Sequence, residues 1–317
     1  MTGSVEFLVT GGAGFIGSNL VHRLVREGRS VRVLDNFATG RRENLSGIEG
    51  KIELHECDLR DASAVRDAVK NVRHVIHFGA LPSVQRSVED PLSSNEVNVT
   101  GTLNLLIAAR DEKVSRFVFS SSSSVYGDTP TLPKREDMTP APLSPYALSK
   151  LAGEHYCRIF HRLYGLPTFA LRYFNVFGPR QNPRSQYAAV IPLFINALSR
   201  GEPCSLNGEG TQTRDFTFVD DVVGANLCCC RAPESAAGGV YNVAWGNRTS
   251  LRELVAMLQK IIGTSVPSVH APARAGDVRD SQADSALART VLGWSPAVSF
   301  EEGLRRTVAW IGENPAS

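Results

Sequence analysis

Thr10-Gly11-Gly12-Ala13-Gly14-Phe15-Ile16-Gly17 follows the apolar run Val5 to Val9 and leads into apolar residues at helical spacing, Ile16, Leu20 and Leu24. That order predicts a strand, a glycine turn and a helix. Glycines at 11, 14 and 17 permit a tight turn, let backbone N–H groups approach a pyrophosphate, and let the helix pack closely on its strand, while the helix N-terminus favours negative charge. A second strand, Val31 to Leu34, ends at Asp35, eighteen residues past Gly17, where an acidic side chain can hold a ribose diol. The competing reading is an ordinary glycine-rich turn. Strand, glycines, helix, strand and acid in this order favour a dinucleotide site.

The same alternation continues outward. Lys51 to Glu56 reads as a strand, Asp61 to Val69 as a helix, Val72 to His77 as a buried strand, Asn95 to Arg110 as a long helix and Arg116 to Ser120 as a strand. Ser144-Pro145 supplies an N-cap and a first-turn proline for a helix that runs to Gly165, and Thr168 to Arg172 is the next strand. This rhythm predicts an α/β fold with a doubly wound parallel sheet. It breaks near Tyr173, where Pro179, Pro183, Pro192 and Pro203 punctuate irregular segments, and Phe216 to Val219, the helix from Asp220 to Cys230 and Val240 to Ala244 read as a return to the sheet. Ser299-x-x-Glu302 reads as a capping box for the last helix. The division expected is 1–173 plus 214–245 for a dinucleotide-binding domain, and 174–213 plus 246–317 for a smaller, discontinuous substrate domain.

Composition narrows the class. With 317 residues, 42% hydrophobic and 21% charged, the chain can build one large or two ordinary cores. A formal net charge of +2 gives no reason to expect nucleic acid or an anionic membrane as partner. No apolar run has the length of a membrane span and no signal-peptide pattern opens the sequence, so the expected location is the cytoplasm. Six cysteines, Cys57, Cys157, Cys204 and Cys228 to Cys230, form no C-x-x-C pair and have no histidine at zinc-ligand spacing, so reduced thiols and no metal are expected.

Tyr146 and Lys150 lie four residues apart in the Ser144 to Gly165 helix, which puts a phenol and an ammonium on one face. A cation that close lowers the phenol's pKa from its usual value of about 10. A phenolate stabilised by Lys150 and a cationic nicotinamide is a general base near neutral pH; a tyrosine packed under a surface lysine is the competing reading. Upstream, the strand ending at Phe119 runs into Ser120 to Ser124 and then Val125-Tyr126-Gly127, at the carboxyl end of a strand, where ligands of open α/β sheets sit. A hydroxyl there can share a proton with Tyr146; alternatively the serines satisfy their own backbone.

Together these motifs resemble the extended short-chain dehydrogenase/reductases, and among them the nucleotide-sugar 4-epimerases. The resemblance spans the whole chain: Gly11-x-x-Gly14-x-x-Gly17, Asp35-Asn36, Asp58-Leu59, Asn98-x-x-Gly101-Thr102, Ser120 to Gly127, Tyr146-x-x-x-Lys150 and Arg172-Tyr173-Phe174-Asn175 stand in the family's order. It implies NAD as cofactor, held at Gly11, Gly14, Phe15, Ile16, Gly17, Asp35 and Asn36, with Asp58 and Leu59 beside the adenine. Ala80, Asn98, Ser120, Tyr146, Lys150 and Tyr173 complete that implied set. His77-Phe78-Gly79-Ala80 departs from the family's commoner pattern and reads as cofactor-contacting backbone, with no catalytic histidine. The resemblance further implies that Ser122, Tyr146 and Lys150 are catalytic and that Ser123 and Ser124 line the same pocket.

Related 4,6-dehydratases carry Asp-Glu just before Val-Tyr-Gly, and related decarboxylases a Glu; here those places are Ser123 and Ser124. Elimination therefore lacks its acid and base, and oxidation at sugar C4 followed by reduction from the opposite face remains. For the substrate, Arg172, Arg180, Arg214, Arg274 and Arg279 offer forked donors suited to a diphosphate. Arg214 and Arg274 match family positions on the diphosphate, with Asp277 on the uridine ribose, Asn175 on the diphosphate-sugar, Ala189 and Val190 at the uracil, and Ser83 facing the sugar. Ser281 stands where epimerases restricted to plain hexoses carry a bulky Tyr, so it leaves room for an N-acetyl group. Glucuronate 4-epimerases tend to carry Thr at 175 and Arg at 182, where this chain has Asn175 and Asn182. The expected substrates are UDP-GlcNAc and UDP-GalNAc, with UDP-Glc and UDP-Gal beside them. The rivals are a glucuronate epimerase or another NAD-dependent nucleotide-sugar enzyme, and, in a different class, a silent NAD-sensing scaffold. The family's habit implies a homodimer through the helices at 95–110 and 145–164.

Overall fold

A seven-stranded, wholly parallel sheet fulfils the predicted alternation in the computed structural model, which describes residues 4–182, 189–272 and 279–314. In chain order its first half comprises β1 (Val5–Thr10), α1 (Phe15–Arg26), β2 (Val31–Leu34), β3 (Glu53–His55), α2 (Ala62–Val69), β4 (Val72–His77), α3 (Val84–Glu89), α4 (Pro91–Asn95), α5 (Gly101–Asp111), β5 (Arg116–Ser122) and α6 (Pro145–Tyr164). Then come β6 (Thr168–Tyr173), β7 (Val176–Phe177), α7 (Val190–Ser199), β8 (Ser205–Asn207), β9 (Thr213–Arg214), β10 (Thr217–Phe218) and α8 (Val219–Arg231). The chain closes with β11 (Val240–Val243), β12 (Thr249–Ser250), α9 (Leu251–Ile262), β13 (Val269–Ala271), α10 (Ala286–Leu292) and α11 (Phe300–Glu313). No helix of the described residues is long and apolar enough to cross a membrane.

The sheet order is β3-β2-β1-β4-β5-β6-β11, so the direction of winding reverses between β1 and β4 and opens a crevice at their carboxyl ends. Successive residues of each strand point to opposite faces. Val9, Val33, Val118 and Leu171 meet α1 and α8 on one side. Leu8, Val75, Phe117 and Phe119 meet α2, α5 and α6 on the other. Both faces are covered, as a parallel sheet requires. A further cluster, built on Phe177, Phe194, Phe216, Phe218, Leu254 and Leu304, joins α7, α9 and α11 beyond the carboxyl ends of the strands.

Helix α6 forms where its capping residues predict. Ser144 Oγ accepts the Ala147 N–H, Pro145 occupies the first turn, and Gly165 terminates the helix at φ +68°. Gly153 decides how near α6 lies to β5: a Cβ there would stand 2.3 Å from Phe119 Cζ. That approach is what lets Lys150 reach the strand.

Four local expectations change. The helix expected over 95–110 is present but starts earlier, at Pro91, and its α4 and α5 parts are joined by a π-helical turn over Glu96–Thr100; the turn carries Asn98, whose amide is drawn to Leu81 and Ser149. β10 does not return to the main sheet but pairs with β7, because Phe177 and Phe218 are buried in the third cluster. Strand β3 is shorter than 51–56, a helical turn at Glu49–Lys51 taking its start. Ser299 caps α11, yet Glu302 spends its carboxylate on Arg306 and does not close a reciprocal box; the complete capping box is Ser250 with Glu253 on α9.

Candidate active site

Two adjoining cavities lie along the crevice, of about 920 Å3 and about 680 Å3, with Asn175, Val176 and Ala189 in the wall of both. The larger begins at the glycine turn. Gly11 holds φ +65°, and a Cβ on it would stand 2.7 Å from Gly79 N; a Cβ on Gly17 would stand 2.2 Å from Gly11 O. Only glycine allows the turn, the first residues of α1 and the β4 exit to close this tightly. Gly14, Phe15, Ile16 and Gly17 line the cavity, where the first-turn N–H groups of α1 lack helical partners. No acid occupies that turn, so its positive end is left for a ligand anion.

Asp35 stands at the end of β2 with Oδ2 accepting the Ala13 N–H and Oδ1 accepting the Phe37 N–H, both at 2.8 Å. Burial pushes its carboxyl up while the two donors pull it down. Each oxygen retains a lone pair for a ribose hydroxyl. Asn36 Nδ2 donates to Asp58 Oδ2 at 2.8 Å, and Arg60, also bound to Asp58, holds that carboxyl down at about 2. Leu59 and Ala80 line the same wall. A glycine turn closed to van der Waals limits, a helix end without an acid and a diol-binding carboxylate fit a dinucleotide, pyrophosphate at α1 and ribose at Asp35.

Farther along, Ser120, Ser122, Ser123, Tyr146, Lys150 and Tyr173 line the cavity together. Lys150 Nζ donates to Ser120 O at 2.8 Å and sits 5.9 Å from the Tyr146 ring centroid; burial lowers it to about 8. Enclosure pushes the Tyr146 phenol above its usual value, and the Ser122 hydroxyl pulls it back. The downward shift expected from Lys150 is not what the protein shows: the phenol is raised by desolvation, and the opposing pull comes from Ser122. Ser122 Oγ accepts from the Ser124 N–H and, at 2.9 Å, from Ser124 Oγ, so Ser124 orients Ser122 and does not line the cavity. Tyr173 OH donates to Asn226 Oδ1 at 3.0 Å.

One turn beyond Lys150 on the same face of α6, Glu154 accepts from Arg172 at 2.8 Å and 2.7 Å and from Ser121 Oγ. Arg172, expected among the diphosphate donors, is therefore spent in a buried ion pair that clamps α6 to β5 and β6. Asn98 also differs from its expected contact with the cofactor: it is buried, donates to Ser149 Oγ and exchanges hydrogen bonds with the Leu81 backbone. His77 is structural. Thr102 Oγ1 donates to Asn98 O and so accepts from His77 Nε2–H, which leaves His77 Nδ1 to accept from Thr10; burial holds the ring neutral, at about 3.

On the substrate side, Ser83 caps α3 and lines the larger cavity, while Ala189, Val190 and Arg214 line the smaller. Arg214 Nη1 donates to the carbonyls of Thr213 and Arg279. Arg180 lines the larger cavity beside α1, bound to Asn19 Oδ1 at 3.1 Å, and Arg279 is exposed. Ser281 stands behind Asn175, its Oγ accepting from Asn175 Nδ2. Arg274 and Asp277 lie outside the described residues. Sequence reasoning missed Arg41 and Asn44, which fold the 41–44 turn onto Ala13 O and close the Asp35 end, and it missed Glu154, whose place four residues after Lys150 was the available signal.

The model of the NAD dependent epimerase/dehydratase family matches residues 7–244. The chain is 44% identical over 307 residues to the UDP-glucose 4-epimerase of Mycolicibacterium smegmatis, covering 95% of this chain and 96% of that one. It superposes with a TM-score of 0.93 on the crystal structure of the UDP-glucose 4-epimerase of Thermotoga maritima with UDP-glucose, at 37% identity, covering 98% of this chain and all of that one. The UDP-N-acetylglucosamine 4-epimerase of Methanobrevibacter ruminantium M1, solved with UDP-N-acetylmuramic acid, gives a TM-score of 0.93 at 38% identity, covering 98% of this chain and 99% of that one.

Proposed function

The chain belongs to the NAD dependent epimerase/dehydratase family, and we propose that it is a UDP-hexose 4-epimerase that interconverts UDP-GlcNAc with UDP-GalNAc and also acts on UDP-Glc and UDP-Gal. One observation carries the reaction type: Ser122, Tyr146 and Lys150 share a cavity wall with Ser123, and neither position 123 nor position 124 behind it holds an acid. Bound NAD supplies the hydride acceptor and donor at sugar C4. The chain's own groups handle the proton. Tyr146 takes it from the 4-hydroxyl and returns it, Ser122 shares it and fixes the hydroxyl's direction, and Lys150 favours the phenolate through its charge. With no carboxylate at 123 or 124, the sugar is not stripped of water or carbon dioxide, and the outcome is inversion at C4.

The cofactor residues in this proposal are Gly11, Gly14, Phe15, Ile16, Gly17, Asp35, Asn36, Asp58, Leu59, Ala80, Ser120 and Tyr173, with Tyr146 and Lys150. Those on the sugar nucleotide are Ser83, Ser122, Ser123, Asn175, Ala189, Val190, Arg214, Arg274 and Asp277, with Ser124 and Ser281 acting through Ser122 and Asn175. Asn98 joins the cofactor set only by holding the Leu81 loop. The uridine diphosphate belongs in the smaller cavity, and the domain division is 1–173 plus 214–245 against 174–213 plus 246–317. A homodimer through the helices at 95–110 and 145–164 is part of this proposal; exposed Leu148, Ile159 and Leu163 on α6 support the second of these helices. The test is incubation of purified protein with UDP-GlcNAc, UDP-Glc and UDP-GlcA, without added cofactor. Formation of the C4 isomer from the first two supports the proposal; conversion of UDP-GlcA alone moves it to a glucuronate epimerase.

A further inference from the structure

Asp215 is wholly buried, yet it lines neither cavity. Its carboxylate is met by backbone N–H groups: Gly246 at 3.0 Å from Oδ1 and 3.2 Å from Oδ2, Ala283 at 3.0 Å from Oδ2, and the N–H groups of Trp245 and Asn247. Gly246 holds φ +93°, which turns successive N–H groups toward one point and makes an anion nest filled from within the chain. No cation pairs with Asp215 among the described residues.

The same residue's backbone reaches the wall shared by the two cavities. Asp215 O accepts from Asn175 Nδ2 at 3.0 Å, and the Asp215 N–H donates to Ser281 Oγ at 3.2 Å. Its neighbours Arg214 and Phe216 line the smaller cavity. Gln282 Nε2 donates to Gly246 O at 3.0 Å, which ties the nest to the extended segment that carries Ser281. Segments that are far apart in sequence thus converge on one side chain.

We propose that Asp215 is the positioning residue of the sugar-nucleotide pocket: its carboxylate pins the 245–247 turn and the 281–283 segment, so that Ser281 holds Asn175 at the wall between the two cavities. The proposal rests on the epimerase reading and adds to it a residue that touches no substrate. Asp215→Asn keeps the shape but turns one acceptor oxygen into an N–H2 donor facing other donors. Assays belong at pH 8, above the value of about 7 to which burial pushes the carboxyl. The KM for UDP-sugars and the calorimetric Kd for UDP are expected to rise about tenfold or more, the loss that follows when a buried hydrogen-bonded set loses an acceptor. The kcat and the NAD content of the purified protein are expected to stay near wild type, the pattern of lost binding without lost chemistry. Gly246→Ala, strained at φ +93° but with room for its Cβ, reaches the nest from the other side and is expected to give the same split. An active wild type whose variants keep normal KM and UDP affinity, or lose kcat and NAD together, overturns the positioning role. A wild type that neither isomerises UDP-sugars nor binds UDP overturns the epimerase reading and this one with it.

Discussion

Asn175 Nδ2 donates to Ser281 Oγ at 3.0 Å across 106 residues of sequence, and only Asn175 of the two lines a cavity. A larger side chain at 281 must displace the Asn175 amide toward the bound sugar. Ser281→Tyr is therefore expected to abolish turnover of UDP-GlcNAc and UDP-GalNAc while sparing UDP-Glc and UDP-Gal. Unchanged turnover of the acetylated pair, measured on the same preparation, would contradict this.

Tyr146→Phe removes the hydroxyl that carries the proton and little else. The kcat should fall by about 10²–10⁴, the usual worth of a positioned acid–base group. UDP affinity and thermal unfolding should stay close to wild type, and a variant with near-normal kcat would remove Tyr146 from the chemistry.

Lys150, lowered to about 8 by burial, is charged below that pH and neutral above it. Its charge favours the Tyr146 phenolate, so log kcat/KM is expected to bend downward as pH rises past about 8. A profile that stays level to about 10 would show that the Lys150 charge does not set the alkaline limb.

Glu154 and Arg172 are both buried, and each satisfies the other's charge. Glu154→Gln leaves the guanidinium without its counter-charge and should cost about 3–5 kcal/mol in denaturant unfolding at neutral pH. Loss of under 1 kcal/mol would show that Arg172 finds compensation over the Tyr126 ring, 4.5 Å away.

The exposed apolar residues of α6 offer a check on the proposed dimer. Leu163→Glu should shift the sedimentation of the protein toward the monomer and leave the monomer folded; a wild type that is already monomeric at micromolar concentration rules the interface out.

By itself the sequence determined what is local. The glycine turn, the strand ending at Asp35, the Ser144 cap and the Tyr146–Lys150 spacing each depend on residues close in the chain, whose side-chain periods of two and 3.6 are legible without the fold. The same spacing points to Glu154 once α6 is known to face β5. Tertiary structure decided the rest. Which serine meets Tyr146, whether Arg172 reaches a diphosphate or Glu154, whether Asn98 touches a cofactor or Leu81, and how Ser281 and Asp215 come to hold Asn175 all depend on sheet register and on crossovers that return distant segments to one crevice. No periodic pattern records those meetings, because each is fixed by where two separately folded elements pack and by which buried polar atom still lacks a partner.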